Sequence, residues 1–98
     1  MAYEIRWSPD ARDHLRQLPA NQRALLLDSV ERYLTDQPQE STQRRKLLAE
    51  NPLATWELRL GDLRVFYDVA PDENAVEIVA VGVKEHNRLR IGGEEVEL

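Results

Sequence analysis

The segment 56–68, WELRLGDLRVFYD, contains two runs of alternating apolar and polar residues separated by a Gly-Asp pair. Alternation with period two is typical of a strand with one buried face, and Gly-Asp suits a two-residue turn with glycine first. The segment therefore predicts an antiparallel hairpin whose register sets one core face. The expected core pairs are Leu60 with Leu63, Leu58 with Val65, and Trp56 with Tyr67. The expected pairs on the other face are Arg59 with Arg64, Glu57 with Phe66, and Thr55 with Asp68.

Further strands are expected before and after this hairpin. Residues 3–7 alternate in the same way and predict an N-terminal strand, whereas residues 75–83 are almost uninterrupted in apolar character. A continuous apolar run is typical of a strand that is buried on both faces. We therefore expect 75–83 to be the central strand, between the N-terminal strand and the hairpin formed by 54–60 and 63–69.

Two helices are expected between the N-terminal strand and the hairpin. Ser8 can cap the first helix, Pro9 suits its first turn, and apolar residues recur at helical spacing until Pro19. Asn21 is the expected cap of the second helix, which continues to about Asp36 with one broad apolar face. These two segments predict a two-helix hairpin.

Residues 37–53 show no sustained period and are expected to form a loop, with one turn of helix at Leu47 and Leu48. The tail predicts a small hairpin about Gly92 and Gly93. Its arms carry Leu89 and Ile91 on one side and Val96 and Leu98 on the other. The chain, residues 1–98, is thus expected to be a single domain of the α+β class. An N-terminal strand, a two-helix hairpin and an antiparallel β-meander form one sheet with the helices packed on one face.

The composition limits the sites and the location that the chain can have. It contains no cysteine and two histidines, so no metal and no other cofactor is expected. The first residues carry no apolar run, and no segment approaches the ~20 apolar residues that a bilayer span needs, which predicts a cytoplasmic protein without membrane contact. The net charge of -5 argues against general affinity for nucleic acid. Residues 42–64 are an exception, with five basic and three acidic side chains.

The arginine pair of the hairpin admits two interpretations. Two guanidinium groups ~5 Å apart repel each other by roughly 1 to 3 kcal/mol, and an anion between them would reverse the sign. The first interpretation is a phosphate-sized site, since the planar guanidinium binds phosphate oxygens in pairs. The second is a pair of solvated charges that Glu57 and Asp68 compensate along the strands. The residues alone leave both interpretations open.

Other candidate residues lie on the long loop and after the central strand. The loop carries a basic run, Arg44, Arg45 and Lys46, which either extends the basic patch or is simply solvated. His86 stands where a side chain at the mouth of the sheet can exchange protons, and Lys84 points to the same side and can bind an anion. A lone exposed histidine is also often without function. For His14, on the first helix, a structural role is expected.

The order of elements and two motifs resemble the RelE/ParE superfamily of bacterial toxins from type II toxin–antitoxin modules. The motifs are the hairpin WELRLGDLRVFY at 56–67 and the element VGVK at 81–84, and the resemblance covers nearly the whole chain. It implies a RelE-like, microbial RNase-type fold and neutralisation by a small cognate antitoxin. RelE-like members cleave mRNA in the decoding site of the ribosome with basic residues rather than a metal.

The resemblance also implies roles for individual residues. The implied catalytic residues are Arg59, Arg64 and Lys84, with His86 as a substitute acid or base. Further basic residues are expected from their charge to bind nucleic acid, namely Arg44, Arg45, Lys46, Arg88 and Arg90. Two positions depart from the RelE pattern, because Glu57 stands where a lysine is expected and Arg90 stands near the place of a catalytic tyrosine.

The expected function is therefore that of a toxin that acts as a ribosome-dependent mRNA endonuclease and inhibits translation. Its expected partners are the antitoxin, the ribosome and mRNA. Two alternatives stay open. One is a ParE-like toxin that binds DNA gyrase without catalysis, and the other is an attenuated member that chiefly binds its antitoxin and regulates their shared operon.

Overall fold

The computed structural model describes residues 2–97 and shows two α-helices, a 3₁₀ turn at Pro71–Glu73 and seven strands within them. The helices are α1 (Pro9–Arg16) and α2 (Ala20–Leu34). The strands are β1 (Glu4–Trp7), β2 (Arg45–Leu47), β3 (Trp56–Leu60), β4 (Leu63–Ala70), β5 (Ala75–Glu85), β6 (Arg88–Ile91) and β7 (Glu94–Val96). They form one sheet in the order β2-β3-β4-β5-β6-β7, with β1 paired parallel to β5. Neither helix in the described residues is long and apolar enough to cross a membrane.

Both helices pack on one face of the sheet, which confirms the predicted α+β class. Leu26, Val30 and Leu34 of α2 are buried against the core face of the β3–β4 hairpin. Five of the six predicted pairs of this hairpin, from Trp56↔Tyr67 to Leu60↔Leu63, are present. The sixth prediction, Thr55 with Asp68, is wrong as a ladder pair, because β3 begins at Trp56 and the Thr55 N–H donates to Asp68 Oδ1 over 2.7 Å instead. Gly61 has a φ of +60°, which a turn of this kind requires and which glycine adopts without steric cost.

The opposite face of the hairpin is partly covered by a second apolar cluster. Phe66 and Ala80 are fully or almost fully buried there. Leu53, from the segment after β2, and Leu89 and Ile91, from β6, pack against them. The cover forms because Leu53 follows β2 at one edge of the sheet, while Leu89 and Ile91 of β6 are the register partners of Lys84 and Gly82 on the same face. The polar side chains of this face are therefore confined to the borders of an apolar patch.

Strand β5 is central, as predicted, and three different partners share its outer edge. β1 pairs with its first part, from Ala75 to Ile78, and β6 pairs with its last part, from Gly82 to Glu85. Between them, α1 supplies side chains instead of a strand. Ser8 Oγ donates to the Val79 carbonyl over 2.9 Å, and the Val81 N–H donates to His14 Nδ1 over 3.2 Å. His14 thus has the structural position that the sequence predicted.

Two predictions about the first half of the chain are wrong. The second helix begins at Ala20 rather than after an Asn21 cap, because Pro19 occupies the N-cap position with extended backbone angles, and it ends at Leu34. The segment expected to hold a turn of helix at Leu47 and Leu48 instead contains β2, which is antiparallel to β3. The free edge of β3 explains the difference, since its backbone offers hydrogen-bond partners that a loop segment of any pattern can use.

The end of the chain contains one predicted hairpin and one that was not predicted. The β6–β7 hairpin turns at Gly92 and Gly93 as expected and pairs Leu89 with Val96, while Leu98 lies outside the described residues. No turn was expected between β5 and β6, where His86 and Asn87 have φ values of 51° and 64°. Positive φ at both central residues is typical of a type I′ hairpin turn.

Candidate functional site

Three of the four predicted catalytic residues line one groove at the end of β5. This groove, of about 350 Å³, is called here the cationic groove. Its lining residues are Asp62, Arg64, Lys84, His86 and Asn87. The Lys84 N–H donates to the Asp62 carbonyl over 2.8 Å, which holds the β3–β4 turn against the end of β5. The guanidinium of Arg64, the ammonium of Lys84 and the imidazole of His86 are thereby brought to one open surface.

The fourth residue, Arg59, lies directly opposite Arg64 in the β3–β4 ladder. Each arginine has its own acceptor. Arg59 Nε donates to Glu57 Oε1 over 2.7 Å, and Arg64 Nη1 donates to the carbonyls of Gly61 and Leu63. Glu57 therefore compensates Arg59, as one of the two interpretations supposed. Both arginines thus have hydrogen-bond acceptors within the protein without a bound anion. Arg64 still has further N–H groups to offer a ligand.

A second groove, of about 390 Å³, adjoins the first and is called here the mixed groove. Its lining residues are Leu48, Glu57, Lys84, Asn87, Leu89, Val96 and Glu97. It shares Lys84 and Asn87 with the cationic groove. Aliphatic side chains from the loop, β6 and β7 form its apolar part, and Glu57, a residue with 8% of its surface exposed, contributes a carboxylate. The two grooves together form one continuous site around Lys84.

The basic run on the long loop is only partly directed at this site. Lys46 is the register partner of Glu57, so its side chain lies on the same face as the grooves. Arg45 points the other way and donates to the carbonyls of Tyr33 and Glu40, each over 2.8 Å. The Arg44 guanidinium lies 5.0 Å above the centre of the Tyr33 ring. The structure therefore places Lys46 on the groove face of the sheet, outside the lining of the two grooves, and leaves Arg44 and Arg45 holding the loop to α2.

Arg88 and Arg90 lie on the opposite face of the sheet from the grooves. They alternate along β6 with Leu89 and Ile91, which pack over the groove face. Arg88 Nε forms an ion pair of 3.5 Å with Glu95 Oε1 on β7. These two arginines, predicted to bind nucleic acid, are not assembled with Arg64 and Lys84.

Two residues that line the grooves, Glu57 and Asn87, were not among the predicted site residues. The sequence suggested Glu57 only as a compensating charge, and Asn87 was not considered. The dipeptide His86-Asn87 carried a usable signal, because asparagine tolerates positive φ and a short polar pair between β-type runs is a hairpin turn. No group of three or more His, Asp or Glu side chains in residues 2–97 is placed to hold a metal ion.

Comparison with known proteins gives a family match. Residues 5–88 match the model of the family described as "ParE toxin of type II toxin-antitoxin system, parDE". The chain belongs to this toxin family. The matched stretch of this ParE-family toxin runs from β1 to the first residue of β6 and so contains the whole cationic groove. Membership of the RelE/ParE superfamily, predicted from the two sequence motifs, is confirmed.

The fold of this ParE-family toxin is similar to a chain in the crystal structure of the toxin–antitoxin complex RelBE2 from Mycobacterium tuberculosis. The TM-score is 0.75 and the sequence identity 24%, over 85% of this chain and 92% of the other. A likeness at this identity establishes a shared fold, which is the RelE-like fold that the sequence predicted. No curated protein sequence matches the chain significantly.

Proposed function

We propose that this ParE-family toxin is a ribosome-dependent mRNA endonuclease that a cognate antitoxin neutralises. The observation that carries the proposal is the convergence of Arg64, Lys84 and His86 on one open groove, with Arg59 beside it. In RNA cleavage by the ribose 2′-hydroxyl, negative charge builds up on the phosphorane-like transition state. Fixed positive charge stabilises that state, and an imidazole can transfer the proton that the reaction requires.

Each side chain has a role in this proposal. Arg64 and Lys84 contact the non-bridging phosphate oxygens, and Arg64 is positioned for this by its bonds to the turn carbonyls. The 2′-hydroxyl gives its proton to solvent water as the bond from the 2′-oxygen to phosphorus forms. The bond from phosphorus to the 5′-oxygen breaks, and His86 protonates the departing 5′-oxygen. The products are a 2′,3′-cyclic phosphate and a free 5′-hydroxyl.

The net charge of the chain supports dependence on the ribosome. A protein of net charge -5 lacks the excess of Lys and Arg that binds free RNA through its phosphates. An mRNA that the ribosome already holds needs no such general attraction, and a small cationic groove is then sufficient. Cleavage is accordingly expected on translating ribosomes and not on the same mRNA in buffer.

The test is a cell-free translation reaction in which new 5′-hydroxyl ends are mapped. The variants Arg64→Ala and Lys84→Ala are expected to cleave about a hundredfold more slowly each, as when one transition-state donor is removed. Arg12→Ala, which removes an exposed arginine from α1, is the matched control and should cleave like the native protein. If the groove variants inhibited translation as strongly as this control, the proposed site would be wrong.

The proposed partner, an antitoxin, is supported by the family and by the likeness to a chain of a toxin–antitoxin complex. Co-expression of the product of a short neighbouring reading frame is expected to restore growth of cells that express this chain. If growth arrest persisted with every neighbouring frame, the antitoxin assignment would be contradicted.

A second candidate function is inhibition of DNA gyrase, favoured by the family model, which is that of ParE toxins. Pulse labelling after induction separates the two. A fall in protein synthesis before DNA synthesis supports the endonuclease, whereas DNA damage and filamentation with continued translation support gyrase inhibition. Expression without any growth defect would contradict both and favour an attenuated, operon-regulating member.

A further inference from the structure

Glu57 is a buried carboxylate on the ligand-facing side of the sheet. Its residue exposure is 8%, and Oε1 accepts the Nε–H of Arg59 over 2.7 Å. Among residues 2–97, the other oxygen, Oε2, makes no hydrogen bond, and Glu57 contributes to the wall of the mixed groove. An ion pair of this kind fixes the orientation of the carboxylate, so a free acceptor oxygen is held at a defined place in the groove.

The rest of the mixed groove suits a flat apolar ring. Leu48, Leu89 and Val96 supply aliphatic surface from three different segments of the chain, and Asn87 and Lys84 lie at the border with the cationic groove. The volume of about 390 Å³ is within the range of small-ligand pockets, about 300 to 1,000 Å³. A ring seated on the aliphatic side chains would present its polar edge to Glu57.

We propose that the mixed groove binds a nucleobase and selects guanine through Glu57. Guanine carries two adjacent donors, N1–H and the 2-amino group, on its Watson–Crick edge. Glu57 can accept one of them with the free Oε2 and the other with the second lone pair of Oε1, whose first lone pair accepts from Arg59. Adenine and cytosine place an acceptor beside their single amino group, and uracil places its one N–H between two carbonyls. A carboxylate faces a repulsive acceptor with each of these, so guanine is preferred.

The two grooves together fit one nucleotide. They share Lys84 and Asn87, so a phosphate beside Arg64 and a base beside Glu57 lie in adjoining spaces. This assignment rests on the proposed function and adds the substrate class to it, RNA with guanine at the nucleotide whose phosphate occupies the cationic groove. It also gives a role to the acidic residue that departs from the RelE pattern.

The experiment is a nuclear magnetic resonance titration of the purified protein with guanosine 3′-monophosphate and adenosine 3′-monophosphate. The native protein is expected to bind the guanine nucleotide about tenfold or more tightly than the adenine nucleotide. In Glu57→Gln the amide keeps an oxygen on Arg59 and turns an NH₂ toward the groove, so the preference is expected to disappear. Glu77→Gln, at an exposed position of β5, is the matched control and should keep it.

A second variant covers the case in which Glu57→Gln does not fold. Leu89→Ala reduces the apolar surface of the mixed groove. It is expected to weaken the binding of both nucleotides several-fold and to leave the ratio of their affinities unchanged. Equal affinities of the native protein for the two nucleotides, or no binding of either, would overturn the proposal.

Failure of this inference can be told apart from failure of the proposed endonuclease. Cleavage on ribosomes without bias toward guanine, together with equal nucleotide affinities, contradicts the guanine site and leaves the endonuclease intact. Selective binding of guanosine 3′-monophosphate by a chain that cleaves no RNA supports the base site and contradicts the endonuclease.

Discussion

The hydroxyl of Ser8 donates a hydrogen bond to the Val79 carbonyl over 2.9 Å and accepts one from the Ala11 N–H over 3.0 Å. One side chain therefore caps α1 and also satisfies a backbone acceptor of β5 on the edge that neither β1 nor β6 covers. This double role makes the start of α1 part of the sheet's hydrogen bonding. It also explains why a short helix of eight residues is stably placed.

Ser8→Ala is expected to lower the free energy of unfolding by about 1 to 3 kcal/mol, because a cap is lost and the Val79 carbonyl is left without its donor. Urea denaturation followed by circular dichroism measures this change. Ser41→Ala, at an exposed position on the loop, is the control and should stay within about 0.5 kcal/mol of the native protein. Equal effects of the two substitutions would show that Ser8 has no special role.

Arg45 and Lys46 are neighbours in sequence with opposite expected effects. Arg45→Ala removes two charged hydrogen bonds to carbonyls of α2 and the loop, so it should destabilise the fold by about 1 to 3 kcal/mol. Lys46→Ala should change stability by less than about 0.5 kcal/mol but reduce cleavage on ribosomes, since its side chain faces the site. Thermal denaturation and the cell-free assay are run on both variants. The reverse order of effects would contradict the face assignments.

Gly82 is expected to tolerate no side chain. A Cβ at this position would lie 2.8 Å from the Arg90 carbonyl oxygen and 3.0 Å from the Ile91 side chain. Gly82→Ala must therefore displace β6, at a cost of about 1 to 3 kcal/mol, and hydrogen exchange of the β6 amides should accelerate. Gly93→Ala has open space around the added carbon, and its strain comes only from the φ of +83° in the β6–β7 turn, so exchange should change at that turn alone. Unaltered protection of β6 in Gly82→Ala would contradict this packing.

Tyr67 makes the stability sensitive to alkaline pH. Its hydroxyl donates to the Pro38 carbonyl over 2.8 Å, and burial raises the pKa of Tyr67 above the ordinary tyrosine value. The unfolded chain loses this proton first, from about pH 10, so the contribution to stability is complete below pH 10 and declines as the pH rises further. Urea midpoints between pH 9 and 11.5 measure the decline. Tyr67→Phe removes this titration, so its urea midpoint should fall less steeply between pH 9 and 11.5 than that of the native protein. An equally steep fall would contradict the role of Tyr67.

The register of the β3–β4 hairpin could be predicted from Trp56 to Tyr67 because two independent signals agree. The alternation of 56–60 and 63–67 sets the buried face, and Gly61 is the residue that its turn requires. In β5 the apolar run alone was enough to predict a central strand. Local pattern and burial point to the same structure in both places, which is when sequence reasoning is dependable.

β2 could not be predicted, because nothing in its three residues specifies a strand. Its conformation is imposed by the neighbouring edge of β3, where the Arg59 N–H donates to the Arg44 carbonyl over 2.8 Å. The local preference of these residues for the expected helix is similar to their preference for a strand. The tertiary contact with β3 therefore decides which of the two forms. The mixed groove could not be predicted for the same reason. Leu48, Leu89 and Val96 come from segments that are far apart in the sequence and meet only in the folded protein.

The cationic groove was more accessible to sequence reasoning than the rest of the site. Arg64, Lys84 and His86 lie at the ends of adjacent strands, and a correct strand order places such ends together. Arg88 and Arg90 were selected by charge alone. The face of the sheet on which their side chains lie depends on the position of the β5–β6 turn. Because that turn was not predicted, the residues of β6 could not be assigned to one face or the other.

The division of the β5 edge also sets the order in which the chain can fold. β3, β4, β5 and β6 join through short turns, whereas Glu4 of β1 pairs with Ala75 about 70 residues away. Closing so long a loop is entropically costly until the meander has formed a template, so we expect the N-terminal strand to dock last. Ile5→Val should then accelerate unfolding without slowing refolding, whereas Val65→Ala should slow refolding. A slower refolding of Ile5→Val would place β1 in the nucleus instead.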